Sequence, residues 1–249
     1  MTDEMPGNRR INNDPVTLPP ALVPARSVLT GSTVQLEPID PDRHTSALFR
    51  AGNATEAARD SWAFLPWGPF QNEVAMHAQL RDFSAALDRV FYAICDRATG
   101  AAVGIATYLD IQPASGVIEI GGIWFAPGFA RSRGATEALF LMLAYAMDDL
   151  RYRRMQWRCN ALNEKSRAAA RRLGFRFEGI WFSHMIVKGR NRDTAWYSIL
   201  DTEWPDIRTA IKTWLVAENF DATGRQRRSL SAMTAAATAR NSDMCPDST

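Results

Sequence analysis

The chain has 249 residues, of which 46% are hydrophobic and 22% charged, and its formal net charge is +2. That size and balance fit one large globular domain or two small ones, and the near-neutral charge argues against nucleic acid as a partner. No apolar run reaches bilayer-spanning length, no zinc-type Cys/His spacing occurs, and Cys95, Cys159 and Cys245 are widely scattered. Neither a membrane partner nor a metal centre is therefore expected, and a reducing, cytoplasmic location is.

Residues 1–29 carry Pro6, Pro15, Pro19, Pro20 and Pro24 in polar filler, the composition of a flexible arm. Val16, Leu18, Leu22 and Val23 leave open an arm that packs on the domain or on a second subunit, so a homodimer is compatible with the sequence. Val34 and Leu36 alternate with polar neighbours in a strand over residues 32–38. Asp40 is an N-cap and Pro41 a first helical residue for a helix ending near Gly52. Residues 60–70 hold Trp62, Phe64, Trp67 and Phe70 with Pro66 and Pro69. They read either as a rigid loop whose aromatics plug the core or as the wall of a binding cleft, with Trp62 and Trp67 facing substrate. A helix follows over residues 72–87.

Two alternating strands, residues 89–96 and 102–110, turn through Ala98-Thr99-Gly100, and a third covers residues 117–125. The third strand contains Gly121-Gly122. Glycine weakens a strand interior, so the pair marks either a packing bend or a bulge that frees edge groups for a ligand. The strand hands over, through Arg131-Ser132-Arg133, to a long helix reaching Leu150. A helix N-terminus offers unpaired N–H groups and a positive dipole end, and two arginines beside it strengthen an anion preference. A strand over residues 155–160 leads to Asn163, the N-cap of a helix closed by Gly174. A hairpin of residues 177–187 and 194–200 and a helix opening at Trp204-Pro205 follow. Residues 221–249, rich in Ala, Ser, Thr and Arg, read as a disordered tail.

This order resembles the GNAT acetyltransferases, in particular the RimJ/RimL-like ribosomal-protein N-terminal acetyltransferase branch. The carrying residues are Glu119-Ile120-Gly121, Ala135-Thr136-Glu137-Ala138, Asn163 with Ser166, Leu173-Gly174-Phe175, and Leu65-Pro66-Trp67-Gly68-Pro69-Phe70. The resemblance covers about residues 33–204. It implies an α+β fold, with a mixed, mostly antiparallel twisted sheet of about seven strands splayed at the cofactor site and flanked by helices. The domain plan is then a flexible arm (1–29), a GNAT domain (30–204), a C-terminal helix (205–220) and a tail (221–249).

The resemblance also implies acetyl-CoA as cosubstrate and a primary amine, on a protein N-terminus or a small molecule, as acceptor. Ile123, Trp124 and Phe125 would pair with the pantetheine arm. Arg131, Ser132, Arg133, Gly134 and Ala135 would hold the pyrophosphate, and Asn163 would contact the cofactor. Glu119 is the candidate base, through water, and Ser166 the remaining hydroxyl beside the thioester. His184, on the closing hairpin, would border the acceptor, while Glu137 reads as a first-turn carboxylate stabilised by the helix dipole.

Two departures from the family pattern stand out. In the frame anchored on Ala135-Thr136-Glu137-Ala138, Arg133 occupies the central glycine position of the phosphate turn, where a side chain hinders close backbone approach; a shifted frame, Arg131 to Thr136, restores the Arg and Gly but ends in Thr136. Ala170 stands where a tyrosine often protonates the leaving thiolate. The altered turn keeps a second reading open, a non-catalytic GNAT-fold module that works through protein contacts.

Overall fold

The computed structural model describes residue 9 and residues 13–243. Strand β1 (Leu29–Thr30) and β2 (Val34–Pro38) lead into helices α1 (Pro41–Asn53), α2 (Glu56–Asp60) and α3 (Glu73–Ala85). Strands β3 (Val90–Asp96), β4 (Ala102–Gln112) and β5 (Val117–Phe125) form a meander. Helix α4 (Arg133–Ala144), strand β6 (Arg154–Asn160), helix α5 (Glu164–Arg172) and strands β7 (Arg176–Val187) and β8 (Arg190–Leu200) follow. Helices α6 (Trp204–Leu215) and α7 (Leu230–Asp243) come last. The eight strands form one sheet in the order β1-β2-β3-β4-β5-β6-β8-β7, one more than the seven expected because β1 adds a short edge. Every pairing is antiparallel except β5 with β6. No helix among the described residues is long and apolar enough to cross a membrane.

The sheet separates two apolar clusters. One, under α4 to α7, includes Ile118, Ile120, Leu139, Leu143, Trp157 and Tyr197. The other, under α1 and α3, includes Leu48, Leu80, Phe83, Phe91, Ile105 and Trp124. Side chains two apart on a strand share a face, so Trp124 should join Ile118 and Ile120. It lies on the opposite face because β5 carries an extra residue: Thr107 pairs with Gly121, while Ile105 pairs with Trp124. Gly122 sits in this bulge at φ +56, a conformation that glycine adopts without strain.

Several elements differ from the sequence reading. Residues 21–26 of the N-terminal arm pack on the domain, the second of the two courses open to it. Ala21 N–H donates to Pro113 O at 3.0 Å, Leu22 N–H to Leu150 O at 2.9 Å, and Arg26 to Ser84 O at 2.7 Å. Residues 1–8 and 10–12 of that arm lie outside the described residues. The closing hairpin turns on Lys188 and Gly189 alone, both at positive φ, so β8 begins four residues earlier than the composition suggested.

The tail expected to be disordered contains α7. Leu230 and Ala237 are fully buried and Thr234 nearly so. The positions 230, 234 and 237 share one helical face, and Thr234 Oγ1 donates to Arg172 O at 3.2 Å. Small residues let this helix approach α5 and α6 closely, which is why its composition looked too weak to fold. Residues 244–249, with Cys245, lie outside the described residues.

Glu137 does more than sit at a helix start. Its carboxylate accepts from Ser32 N–H at 2.6 Å, from Thr33 N–H at 2.7 Å and from the Thr33 hydroxyl, and so fixes the β1–β2 turn against α4. Burial alone would raise its pKa. The hydrogen bonds from Thr33 and Ser32 outweigh that and hold it below the ordinary carboxylate range. A depressed folded pKa stabilises the fold above the unfolded value and loses that contribution as pH falls through the folded one. Glu137→Gln is expected to cost about 1.5–3 kcal/mol at neutral pH, and urea unfolding should show its stability varying less with pH on the acid side.

Candidate active site

β5 and β6 pair only from Val117, Ile118 and Glu119 to Arg154, Met155 and Gln156. Beyond Glu119 the two strands diverge. Ile123, Trp124 and Phe125 then have pairing partners only on β4, and their edge toward β6 is open among the described residues. Trp124 is buried, while Ile123 and Phe125 are half-buried. An open, bulged edge of this kind can accept the amides of an extended ligand.

Glu119 stands at the last paired position before the splay, and it is 2% exposed. Gly121 makes room for it: a Cβ there would meet Glu119 Oε1 at 2.9 Å and Leu109 Cδ2 at 2.8 Å. Arg158 Nε lies 2.7 Å from Glu119 Oε2, an ion pair without hydrogen-bond alignment, and Arg158 also reaches Asp110 Oδ2 at 2.5 Å. Burial pushes the Glu119 pKa up to about 8; Arg158 pulls it down and the neighbouring Asp110 carboxylate pushes it further up. A carboxyl poised near neutrality at a strand divergence is suited to proton transfer.

On the Glu119 side, a cleft of about 280 Å³ opens between β4, β6, β7 and β8. Asp110, Gln156, Glu178, Trp181 and Trp196 line it. Glu178 is ion-paired with Arg154 at 2.5 Å and with Arg9 at 2.8 Å. The Arg158 guanidinium lies over the Trp196 ring at 5.3 Å. His184 packs behind the lining residue Trp181: its ring meets that of Trp181 edge-on at 5.0 Å, and its Nδ1 lies 3.0 Å from Thr194 Oγ1. Burial, then the charges of Arg158 and Arg192, lower its pKa.

The two tryptophans expected to wall the cleft divide. Trp62 has no exposed surface. It stacks on Trp124 at 4.1 Å and donates from Nε1 to Gly52 O at 3.0 Å, so it is a core residue and cannot touch an acceptor. Trp67 is half-buried beside the bulge, 3.7 Å from where a Cβ on Gly122 would stand.

At the start of α4, Ser132 is the N-cap and accepts from Ala135 N–H at 2.9 Å. The N–H groups of Arg133 and Gly134 have no partner among the described residues. Arg131 adopts φ +67 and its side chain is exposed. The Arg133 guanidinium does not face this turn: Nε and Nη2 donate to Leu215 O at 3.0 and 2.6 Å, capping α6, and it lies over Phe220 at 5.2 Å.

At the start of α5, Asn163 Oδ1 accepts from Ser166 N–H at 3.1 Å. Ser166 Oγ accepts from Trp157 Nε1 at 3.0 Å, and its hydroxyl also lies by the Cys159 thiol. Ala170 is fully buried. The unpaired N–H groups at the start of α4, with the Arg131 guanidinium beside them, suit an anionic group such as a phosphate.

Sequence reading missed Asp110, Arg158, Trp181 and Trp196. A signal existed in β6, where Arg154, Gln156 and Arg158 alternate with buried Met155, Trp157 and Cys159. A polar face on an interior strand implies a cleft. Glu37, His44 and Cys95 form a separate buried cluster. His44 Nδ1 accepts from Asp40 N–H at 2.9 Å, so Nε2 carries the proton toward Glu37, and the ring has no lone pair left for a metal.

The model of a family described as Acetyltransferase (GNAT) domain matches residues 33–176, more than half of the chain. The chain belongs to the GNAT acetyltransferase family. This is a family of acyltransferases, and the observed sheet is the α+β architecture its members share. A GCN5-related N-acetyltransferase from Brucella melitensis is 42% identical, over 88% of this chain and 99% of its own, with a TM-score of 0.85. A GNAT-family protein of Chromobacterium violaceum is 40% identical, over 81% and 100%, with a TM-score of 0.72. YdaF of Bacillus subtilis (strain 168), provisionally named a ribosomal N-acetyltransferase, is 31% identical over 105 residues. That match covers 42% of this chain and 57% of YdaF, little more than half of the relative's length. It agrees with the RimJ/RimL-like branch within GNAT.

Proposed function

We propose that this GNAT protein transfers acetyl groups from acetyl-CoA to a primary amine, and that Glu119 is the general base. The observation that carries the reading is the buried Glu119 carboxylate at the point where β5 and β6 part. Acetyl-CoA supplies an acetyl group activated as a thioester. The amine nitrogen forms a bond to the acetyl carbon as the carbon–sulfur bond breaks. The proton lost by the amine passes to Glu119, directly or through a water. Ser166 is assigned to the other side of the reaction, as the hydroxyl that can donate a hydrogen bond to the leaving thiolate. Asn163 orders the start of α5 beside it, and the open edge of Ile123, Trp124 and Phe125 holds the pantetheine arm. The N–H groups of Arg133 and Gly134, with Ser132 and Ala135 shaping the turn, receive the pyrophosphate.

The acceptor is assigned to the cleft of Asp110, Glu178, Trp181 and Trp196, with His184 and Trp67 at its margins. A protein N-terminus and a small amine both fit this assignment; YdaF's name favours the first. Free, buried Cys95 and Cys159 support a reducing compartment such as the cytoplasm. The reading as a non-catalytic module rested on Arg133, and that side chain lies on α6, away from the turn.

Thiol release from acetyl-CoA, followed across peptides with free N-termini, lysine, polyamines and aminoglycosides, tests the proposal. Turnover with at least one amine is expected; no turnover with any of them would contradict it. A second expectation concerns Asp110. Its carboxylate opposes ionisation of Glu119, so Asp110→Asn should move the rising limb of the pH–rate profile to lower pH.

A further inference from the structure

The first turn of α4 is flanked by cations that the chain leaves without counter-charge. Arg172, in the last turn of α5, donates to Thr136 Oγ1 at 3.0 Å, and its guanidinium lies 4.7 Å over the ring of Trp214. Trp214 is buried in α6, and its Nε1 donates to Gln226 Oε1 at 2.8 Å. Trp214 and Gln226 both lie outside the residues matched by the family model. Arg131 makes no hydrogen bond or ion pair among the described residues, and Arg172 contacts no carboxylate there. Burial, then the Arg131 charge, lower the pKa of Arg172. Arg172 thus reaches the first turn of α4, and Arg131 stands just before the unpaired N–H groups of Arg133 and Gly134. A half-buried guanidinium without a counter-charge is unfavourable, and an arriving anion relieves it.

We infer that Arg172, held in place by Trp214 of the C-terminal extension, binds a phosphate of the CoA cosubstrate together with Arg131. The residues from Trp204 onward are then part of the cofactor site. Arg172 supplies the charge, and Arg133, by capping α6 and stacking on Phe220, anchors the extension that positions it. This rests on the acetyl-CoA reading given above.

Calorimetric titration with CoA and with dephospho-CoA tests it, using the wild-type chain, Arg172→Gln and Arg172→Lys, with melting temperatures measured alongside. Arg172→Gln is expected to weaken CoA binding about tenfold or more, since a charge-assisted hydrogen bond is lost. Arg172→Lys should recover part of that, and added salt should weaken the wild type more steeply than Arg172→Gln. A loss confined to CoA assigns the 3′-phosphate; a loss with both ligands assigns the pyrophosphate; either supports the inference. Unchanged CoA affinity in Arg172→Gln would overturn it. So would a loss that lysine does not relieve and that accompanies a lower melting temperature, because Arg172 would then be a structural brace. A wild-type chain that binds neither ligand would overturn the acetyl-transfer reading as well.

Discussion

Glu119→Gln is expected to lower acetyl transfer by roughly 10²- to 10⁴-fold, measured as thiol release above a pH of about 8. The glutamine keeps the shape of the side chain and removes the base. In the wild type the rate should climb with pH and level off near the raised pKa of about 8, as the carboxylate forms. The variant should lack that limb.

A second readout has a fixed sign. A folded pKa above the unfolded carboxylate value means that the fold prefers the protonated form. The contribution of Glu119 to stability is full below the unfolded value and declines as pH rises toward about 8. The melting temperature of the wild type should therefore fall over that range more than that of Glu119→Gln. A turnover loss of only a few-fold would remove Glu119 from the role.

The largest effect on stability is expected from Trp62→Ala, roughly 3–5 kcal/mol by chemical denaturation. Trp62 is fully buried, stacks on Trp124 and meets Trp67 and Phe70 edge-on at 5.5 and 5.6 Å. Its surroundings are fitted to it: a Cβ on Gly52 would lie 2.6 Å from the indole, and one on Gly68 would lie 2.8 Å away. Removing the indole opens a cavity that these rigid neighbours cannot close. For a chain of this size the melting temperature should drop on the order of 10 °C. A residue that merely walled an acceptor cleft would raise KM and leave melting unchanged, which is the result that would contradict a core role. Because Trp124 lies on β5 just past the bulge, transfer should also slow in Trp62→Ala.

The cofactor half of the site was legible because its signals are local. Gly121-Gly122, Glu119 two residues before that pair, the Ser132 cap and the Asn163 cap each lie within a few residues of what they shape. The acceptor half was not. Asp110, Arg158, Trp181 and Trp196 come from four different strands, and they meet only because β8 inserts between β6 and β7. Arg133 read as a defect in a phosphate turn because its partner, Leu215 O, lies 82 residues away in sequence. Trp62 was ambiguous for a related reason: an aromatic loop has the same composition whether its rings face a cleft or a core. Helix α7 escaped notice because its buried face is made of small residues, Thr234 and Ala237 beside Leu230, whose value lies in close approach to α5 and α6 and not in hydrophobicity.

Isothermal titration with acetyl-CoA tests the central claim most directly, that the splay beyond Glu119 is an acetyl-CoA site. Saturable binding in the micromolar range is expected from the wild-type chain. It should weaken when Gly122→Val places a side chain in the bulge, where a Cβ would stand 2.9 Å from Thr107 Cγ2. No heat of binding at high micromolar acetyl-CoA would contradict the claim and leave a GNAT fold that serves as a protein-binding module.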